Sequence, residues 1–247
     1  MKNLDTKNIR LDIEYDGTDF SGWQRQPGVR TVEGEIAAVL GRLTGVAPEI
    51  IVAGRTDSGV HALGQVANFS SVSGMEPRDI RNALNSLLAP DVRIIEAGEV
   101  DLDFNARYDA LSRVYRYEIT PRPTSVWRRF RWYVKRSMDT GAMREAAEHL
   151  IGEHDFSAFT CKDETRSPWI SLTGATIEEI DPAGLAITFE ANRFLRKMVR
   201  MLVGTLVEVG RLKMQPEEVH DILKSFDRTR SGPCAPPHGL FLMRVEY

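Results

Sequence analysis

Apolar and polar residues alternate through Ile9, Leu11, Ile13 and Tyr15, a period of two that predicts a half-buried strand ended by Asp16-Gly17. From Thr31, a side chain suited to capping a helix, the spacing becomes helical through Val32, Ile36, Val39, Leu40 and Leu43 and stops near Gly45. The run Ile50–Val52 predicts a second strand, a glycine loop follows, and a third strand passes through Val66, Ala67 and Phe69. Pro77 suits the first position of a helix carrying Ile80, Ala83, Leu84, Leu87 and Leu88, which Pro90 closes. Val92, Ile94 and Ile95 make a fourth strand. The order is β-α-β-β-α-β, the split βαβ or ferredoxin-like arrangement.

The second half repeats that order with longer helices. Strands are expected at Val114–Ile119, Ala175–Ile180, Leu185–Phe189 and Leu240–Val245, the middle two joined through Asp181-Pro182-Ala183-Gly184. Helices are expected at Ala142–Ile151, from about Arg193 to Val209, and at Glu217–Phe226. The chain therefore reads as α+β: two ferredoxin-like halves, residues 1–105 and 106–247, with antiparallel sheets that join. Sequence identity between the halves is weak, so the repeat is one of pattern.

The loop between the second and third strands carries the most chemistry. Ala53-Gly54-Arg55-Thr56-Asp57-Ser58-Gly59-Val60-His61 sets one carboxylate between two glycines directly after an apolar strand, a place from which an acid points outward. Arg55, two residues before Asp57, is placed to hold the carboxylate ionised and oriented. An ordinary Asp in a solvated turn, bonded to its own backbone, has the same local pattern.

Composition narrows the setting. The 247 residues are 42% hydrophobic and 27% charged, enough for a substantial core, and no apolar run approaches the roughly 20 residues that span a bilayer. The start, Met1-Lys2-Asn3-Leu4-Asp5, lacks the apolar stretch of a secretory signal, and Cys161 and Cys234 form neither a disulfide framework nor a zinc pattern. A cytoplasmic location with reduced thiols is expected. Phosphate-binding and dinucleotide-binding glycine loops are missing, as is the G-x-S-x-G nucleophile elbow, and the five histidines show no ligand spacing. What remains is acid chemistry centred on Asp57 beside a basic, aromatic surface.

A formal net charge of -3 argues against a nucleic-acid partner, but it hides an asymmetry. Between Arg113 and Arg136 stand eight basic residues against one acid, Glu118, interleaved with Tyr115, Tyr117, Trp127, Phe130, Trp132 and Tyr133. Such a segment suits phosphate neutralisation and base stacking, and equally a solvated face whose aromatics turn inward. On the expected helix from Arg193, the cations Arg193, Lys197 and Arg200, with Arg196 beside them, share a face opposite Phe194, Met198, Met201 and Leu202. Cations at a helix N-terminus oppose its dipole, which hints at an anionic partner.

Four segments together resemble the tRNA pseudouridine synthases of the A type. They are Glu14-Tyr15-Asp16-Gly17 through Gly22-Trp23-Gln24-Arg25-Gln26, the Ala53–His61 loop, Arg113-Val114-Tyr115-Arg116-Tyr117, and Phe194-Leu195-Arg196-Lys197-Met198-Val199-Arg200 with Gly204. Fainter echoes are Phe104-Asn105-Ala106-Arg107, Arg166-Ser167-Pro168-Trp169 and His238-Gly239-Leu240-Phe241-Leu242. The resemblance implies conversion of uridine to pseudouridine in the anticodon stem-loop of tRNA, by a cofactor-free homodimer with helices on one side of its sheets and an RNA-binding cleft on the other. It makes Asp57 the nucleophile, paired with Arg200, and sets Tyr115 on the target base. Arg55, Arg196 and Lys197 become RNA-contacting residues. Two departures stand out: Val114 replaces a common cation, and the 120–130 loop is short. A non-catalytic RNA-binding module and a small-molecule enzyme are the rival readings; the first leaves the glycine loop without a purpose and the second leaves the cationic segment unexplained.

Overall fold

The computed structural model describes residues 6–135, 138–161 and 163–247. Arg136 of the basic segment and the start Met1–Asp5 lie outside the described residues. Two compact units divide the chain: residues 1–111 with 242–247, and residues 112–241.

In the first unit the alternation of the opening residues becomes β1 (Lys7–Tyr15), with Ile9, Leu11, Ile13 and Tyr15 buried on one face. Helix α1 (Val32–Thr44) is bounded as its ends dictate: the Thr31 hydroxyl accepts the Gly34 N–H, and Gly45 ends it in the left-handed conformation that its lack of a β-carbon permits. Strands β2 (Ile51–Val52) and β3 (His61–Ser71) flank the glycine loop, α2 (Pro77–Leu87) starts at the expected proline, and β4 (Val92–Val100) follows. The strand order is β4-β1-β3 with β2 on β3, all antiparallel, as the ferredoxin-like plan requires. Phe69 and Ala67 of β3 stand opposite Ile9 and Leu11 in register, and Ile36 and Leu40 of α1 and Ile80 and Leu84 of α2 are buried with them. The polar face of the sheet ties down the Phe104–Arg107 turn. Asn8 donates to the Asp101 and Phe104 carbonyls, the Asn68 carbonyl oxygen accepts the Ala106 N–H, and the Tyr247 phenol donates to the Ala106 carbonyl.

The second unit builds β5 (Ser112–Thr120), β6 (Trp132–Tyr133), α3 (Thr140–Glu148), β7 (Gly152–Asp155), β8 (Trp169–Ile180), β9 (Gly184–Ala191), α4 (Met198–Gly210) and α5 (Glu218–Ser225). Strand β10 (Leu240–Glu246) begins here, and its residues from Leu242 belong to the first unit. The order β5-β9-β8-β7 is antiparallel, with Tyr115 opposite Phe189 and Tyr117 opposite Ile187. The α+β class and the two-fold use of one plan hold. Three details differ from the periodicity. Only one helix of the repeat is longer than its counterpart, α3 and α4 having 9 and 13 residues against 13 and 11 for α1 and α2. Strands β6 and β7, two and four residues long, are additional to those the pattern led one to expect. Helix α4 starts at Met198 rather than near Arg193, since Lys197 sits at φ 61°, outside the helical range.

Candidate active site

The Asp57 loop is held from both sides by main-chain bonds. The Ala53 N–H donates to the Val66 carbonyl at 2.9 Å, the Trp23 N–H to the Thr56 carbonyl at 3.1 Å, and the Gly59 N–H to the Phe20 carbonyl at 3.3 Å. Side chains complete the grip. The Gln65 amide, fully buried, donates to the Gly54 carbonyl at 2.7 Å, the Ser58 hydroxyl donates to the Phe20 carbonyl, and the Tyr15 and Thr56 hydroxyls share a 2.7 Å hydrogen bond. Burial pushes the Tyr15 phenol up to about 12, so it stays a neutral partner. Gly59 takes φ 76°, which turns the chain into β3. Within this frame Asp57 is half-buried and Arg55 is exposed. Backbone bonds thus fall at Ala53, Gly54, Thr56 and Gly59, on both sides of the carboxylate.

The seat of this loop is the first-strand signature. A β-carbon on Gly17 would lie 2.0 Å from the Val60 carbonyl oxygen, and one on Gly22, at φ 90°, would lie 2.7 Å from that of Thr56. Only glycine lets the two segments approach so closely. His61, 1% exposed, accepts the Gly17 N–H on Nδ1 at 3.0 Å, which makes it an anchor of the joint. The resemblance brought the Glu14–Gln26 and Ala53–His61 segments forward as separate motifs. The glycines at 17 and 22 were the available sign of close contact, without a sign of what they touch.

In the second unit Tyr115 projects from β5, 8% exposed, with its ring edge-on to Phe194 at 5.1 Å between centroids. Arg200 lies in the first turn of α4, half-buried, its Nε donating to the Ala235 carbonyl at 2.8 Å. The shared cationic helix face is not formed, because residues 193–197 precede the helix, and Arg193 and Arg196 bond to the 160–169 segment instead. Arg196 donates its N–H to Glu164 and its Nη1 pairs with Asp163 at 2.6 Å, while Arg193 donates to the Ser167 and Trp169 carbonyls. Lys197 at the N-cap and Arg200 in the first turn still stand at the helix N-terminus, so opposition to its dipole rests on these two. Arg166, gripping Glu164 through two nitrogens, holds that carboxyl down to about 2. Lys197 is half-buried at the helix start.

The basic, aromatic segment divides between core and solvent. Arg113 and Arg131 are buried: Arg113 donates to the Asn192 carbonyl, and Arg131 bonds Glu118 and the Asp181 and Pro182 carbonyls while stacking 4.5 Å over Trp127. Arg116 pairs with Glu118 as well. Arg122, Arg128, Arg129 and Lys135 are exposed. The segment is thus part scaffold and part cationic surface.

A half-exposed carboxylate on an immobilised loop can act as a nucleophile or exchange a proton without loop rearrangement. No helix among the described residues is long and apolar enough to cross a membrane. A family model described as tRNA pseudouridine synthase matches residues 13–109 and 146–247, stretches that include Asp57, Arg55, Arg196, Lys197 and Arg200 but not Tyr115. Over 244 residues, 98% of this chain and the whole of the other, the chain is 43% identical to tRNA pseudouridine synthase A of Chlorobium limicola (strain DSM 245 / NBRC 103803 / 6330). The protein of the same name from Thermoanaerobacter sp. (strain X514) is 40% identical over 244 residues with the same coverage. That of Acetivibrio thermocellus (strain ATCC 27405) is 41% identical over 246 residues, again 98% of this chain and 100% of the relative.

Proposed function

The chain belongs to the tRNA pseudouridine synthase family and is an isomerase that makes pseudouridine from uridine in tRNA; on that premise we propose that its targets lie in the anticodon stem-loop and that Asp57 is the nucleophile. Supporting this is the Asp57 loop itself, braced through Tyr15, Gln65 and the Gly17 and Gly22 contacts so that one carboxylate is presented on a fixed backbone.

The reaction breaks the bond between uracil N1 and the ribose, turns the base, and joins C5 to the same sugar carbon; the C5 proton is lost and N1 gains one. Asp57 attacks either the sugar carbon or the base to carry the intermediate, as carboxylates do in retaining glycosidases. The uridine leaves its stack at a cost of a few kcal/mol. Tyr115 offers a replacement stacking surface, worth about 1–3 kcal/mol, and its phenol is a candidate for the proton. Arg200 supplies a cation to the same chemistry, and Arg55, Arg196 and Lys197 contact RNA near the flipped nucleotide. The exposed Arg122, Arg128, Arg129 and Lys135 add salt-dependent phosphate affinity. The acid-bearing domain is residues 1–105, and the domain with the tyrosine strand and basic segment is 106–247. The enzyme acts in the cytoplasm as a homodimer without a cofactor.

Incubation with unmodified tRNA transcript, without metal or nucleotide, followed by mapping of pseudouridine by mass spectrometry, tests the reading. Wild type forms product in the anticodon arm. Asp57→Asn binds the same tRNA yet turns over slower by at least roughly 10⁴-fold, the scale of losing a nucleophile. Normal turnover by that variant refutes the assignment, and tRNA binding without product by wild type favours a binding module.

A further inference from the structure

The segment Gly232–Pro236 lies along α4 as a strap, and its contacts centre on Arg200. The Ala235 N–H donates to the Arg200 carbonyl at 3.0 Å, and the Ala235 carbonyl accepts the Arg200 Nε–H at 2.8 Å. The strap therefore bonds both the main chain and the head group of one residue. Its approach to the helix depends on two glycines. A β-carbon on Gly204 would fall 1.6 Å from the Pro233 carbonyl oxygen, and one on Gly232 would fall 2.6 Å from the Thr205 Cα. The Thr205 hydroxyl accepts the Gly232 N–H at 2.9 Å and donates to the Met201 carbonyl, stitching the strap to the helix.

The next carbonyl along, that of Pro236, accepts the Tyr117 phenol at 2.8 Å. Tyr117 is fully buried on β5, and Gly239 leaves room for its ring, since a β-carbon there would lie 2.7 Å from Cε1. Burial pushes the phenol's pKa well up, so it remains a donor at any assay pH; the Arg200 charge, close enough to be felt, opposes that rise. An arginine side chain left to itself samples many rotamers, and one Nε–H bond to a fixed carbonyl sets the plane of its guanidinium.

We propose that the strap, locked by the Tyr117 hydroxyl, positions the Arg200 guanidinium, so that Tyr117 is a positioning residue for uridine isomerisation; this rests on the reading of Arg200 as a site residue. Sequence placed Tyr117 in the tyrosine strand and among the aromatics of the basic segment, without a positioning role. A purely structural Tyr117 would fill the core and leave the Arg200 head group unaffected when its hydroxyl is removed.

The test compares Tyr117→Phe, Arg200→Lys and the double variant in single-turnover pseudouridine formation with enzyme in excess, alongside tRNA affinity by filter binding. Phe keeps the ring and its packing. Tyr117→Phe is expected to slow the step by roughly tenfold, the effect of about one hydrogen bond, with tRNA affinity unchanged. The double variant is expected to be no slower than Arg200→Lys alone. In ¹⁵N-arginine spectra the Arg200 Nε–H signal, identified by its loss in Arg200→Lys, is expected to exchange faster with water in Tyr117→Phe. A Tyr117→Phe enzyme with wild-type rate and wild-type exchange overturns the proposal, as does a double variant showing the product of the two single effects. Arg200→Lys turning over as wild type removes Arg200 from the reaction and refutes the proposal from that side, while Asp57→Asn still reports on the nucleophile separately.

Discussion

The Asp57 loop and the Arg200 strap use the same means to hold different ends of a residue. Both depend on backbone segments brought closer than any side chain would allow, Gly17 and Gly22 beneath the loop and Gly204 and Gly232 beneath the strap. In the loop, the bonds from Tyr15, Gln65 and Trp23 go to main-chain or neighbouring groups. A carboxylate one methylene from its Cα needs little more, because fixing the backbone nearly fixes the acid. In the strap the bond reaches the side chain itself. Arg200 loses up to about 2 kcal/mol of rotamer freedom when ordered, and a fixed backbone alone leaves its head group free to wander. Short functional groups are placed by their main chain and long ones by a second contact near the charge.

The first way to break this comparison is to disturb the loop's seat. Gly17→Ala is expected to destabilise the protein by about 1–3 kcal/mol through overpacking and to slow turnover by about 100-fold through displacement of the acid. Gly98→Ala is the control: nothing lies within 4 Å of its missing β-carbon, so the change should stay within about 0.5 kcal/mol. Urea melts and single-turnover rates check both, and an undiminished Gly17→Ala rate would mean that the loop's seat does not place Asp57.

Removing one side-chain brace should do less. Tyr15→Phe deletes the hydrogen bond to Thr56 and is expected to cost about 1 kcal/mol, with a few-fold slower turnover. The decisive contrast is with Tyr117→Phe, which acts on a head group. If Tyr15→Phe accelerates exchange at the Arg200 Nε–H as strongly as Tyr117→Phe does, the two supports are not separate. The smallest effect concerns Glu164, held well below the carboxylate range by Arg166. A depressed folded pKa contributes stability that is present above the ordinary value of 4.5 and lost as pH falls toward about 2. Glu164→Gln should therefore flatten the acid limb between those values, with the gap from wild type largest above pH 4.5 and closing near pH 2. Denaturation midpoints at pH 6, 4 and 2.5 measure it.

Much of the scaffold was legible because its signals are local. Thr31, Gly45 and Pro77 bound α1 and α2 where capping chemistry says they should. Alternation located β1, the strands expected at Val114–Ile119 and Leu185–Phe189 became β5 and β9, and the first half's order of elements led to its sheet order. The cationic stretch before α4 misled because helical spacing continues through Arg193–Lys197, whereas the backbone there is committed to Thr160 and Glu164, more than thirty positions away. Arg113 and Arg131 looked like surface charge for a similar reason. Main-chain carbonyls at 181, 182 and 192, remote in the sequence, are among their partners.

By itself the sequence determined the α+β class and the repeated order of elements, marked the Asp57 loop as the candidate place of chemistry, and carried the family resemblance that implies the reaction. These follow from spacing, capping and motif, which act over a few residues or over the chain as ordered text. Tertiary structure alone decided which cations are scaffold and which are surface, that the first-strand glycines seat the Asp57 loop, and that the Gly232–Pro236 strap bonds both Arg200 and Tyr117. Each is a contact between residues remote in the chain. Whether a polar group is buried and paired or exposed depends on which distant backbone group folding brings to within 3 Å of it.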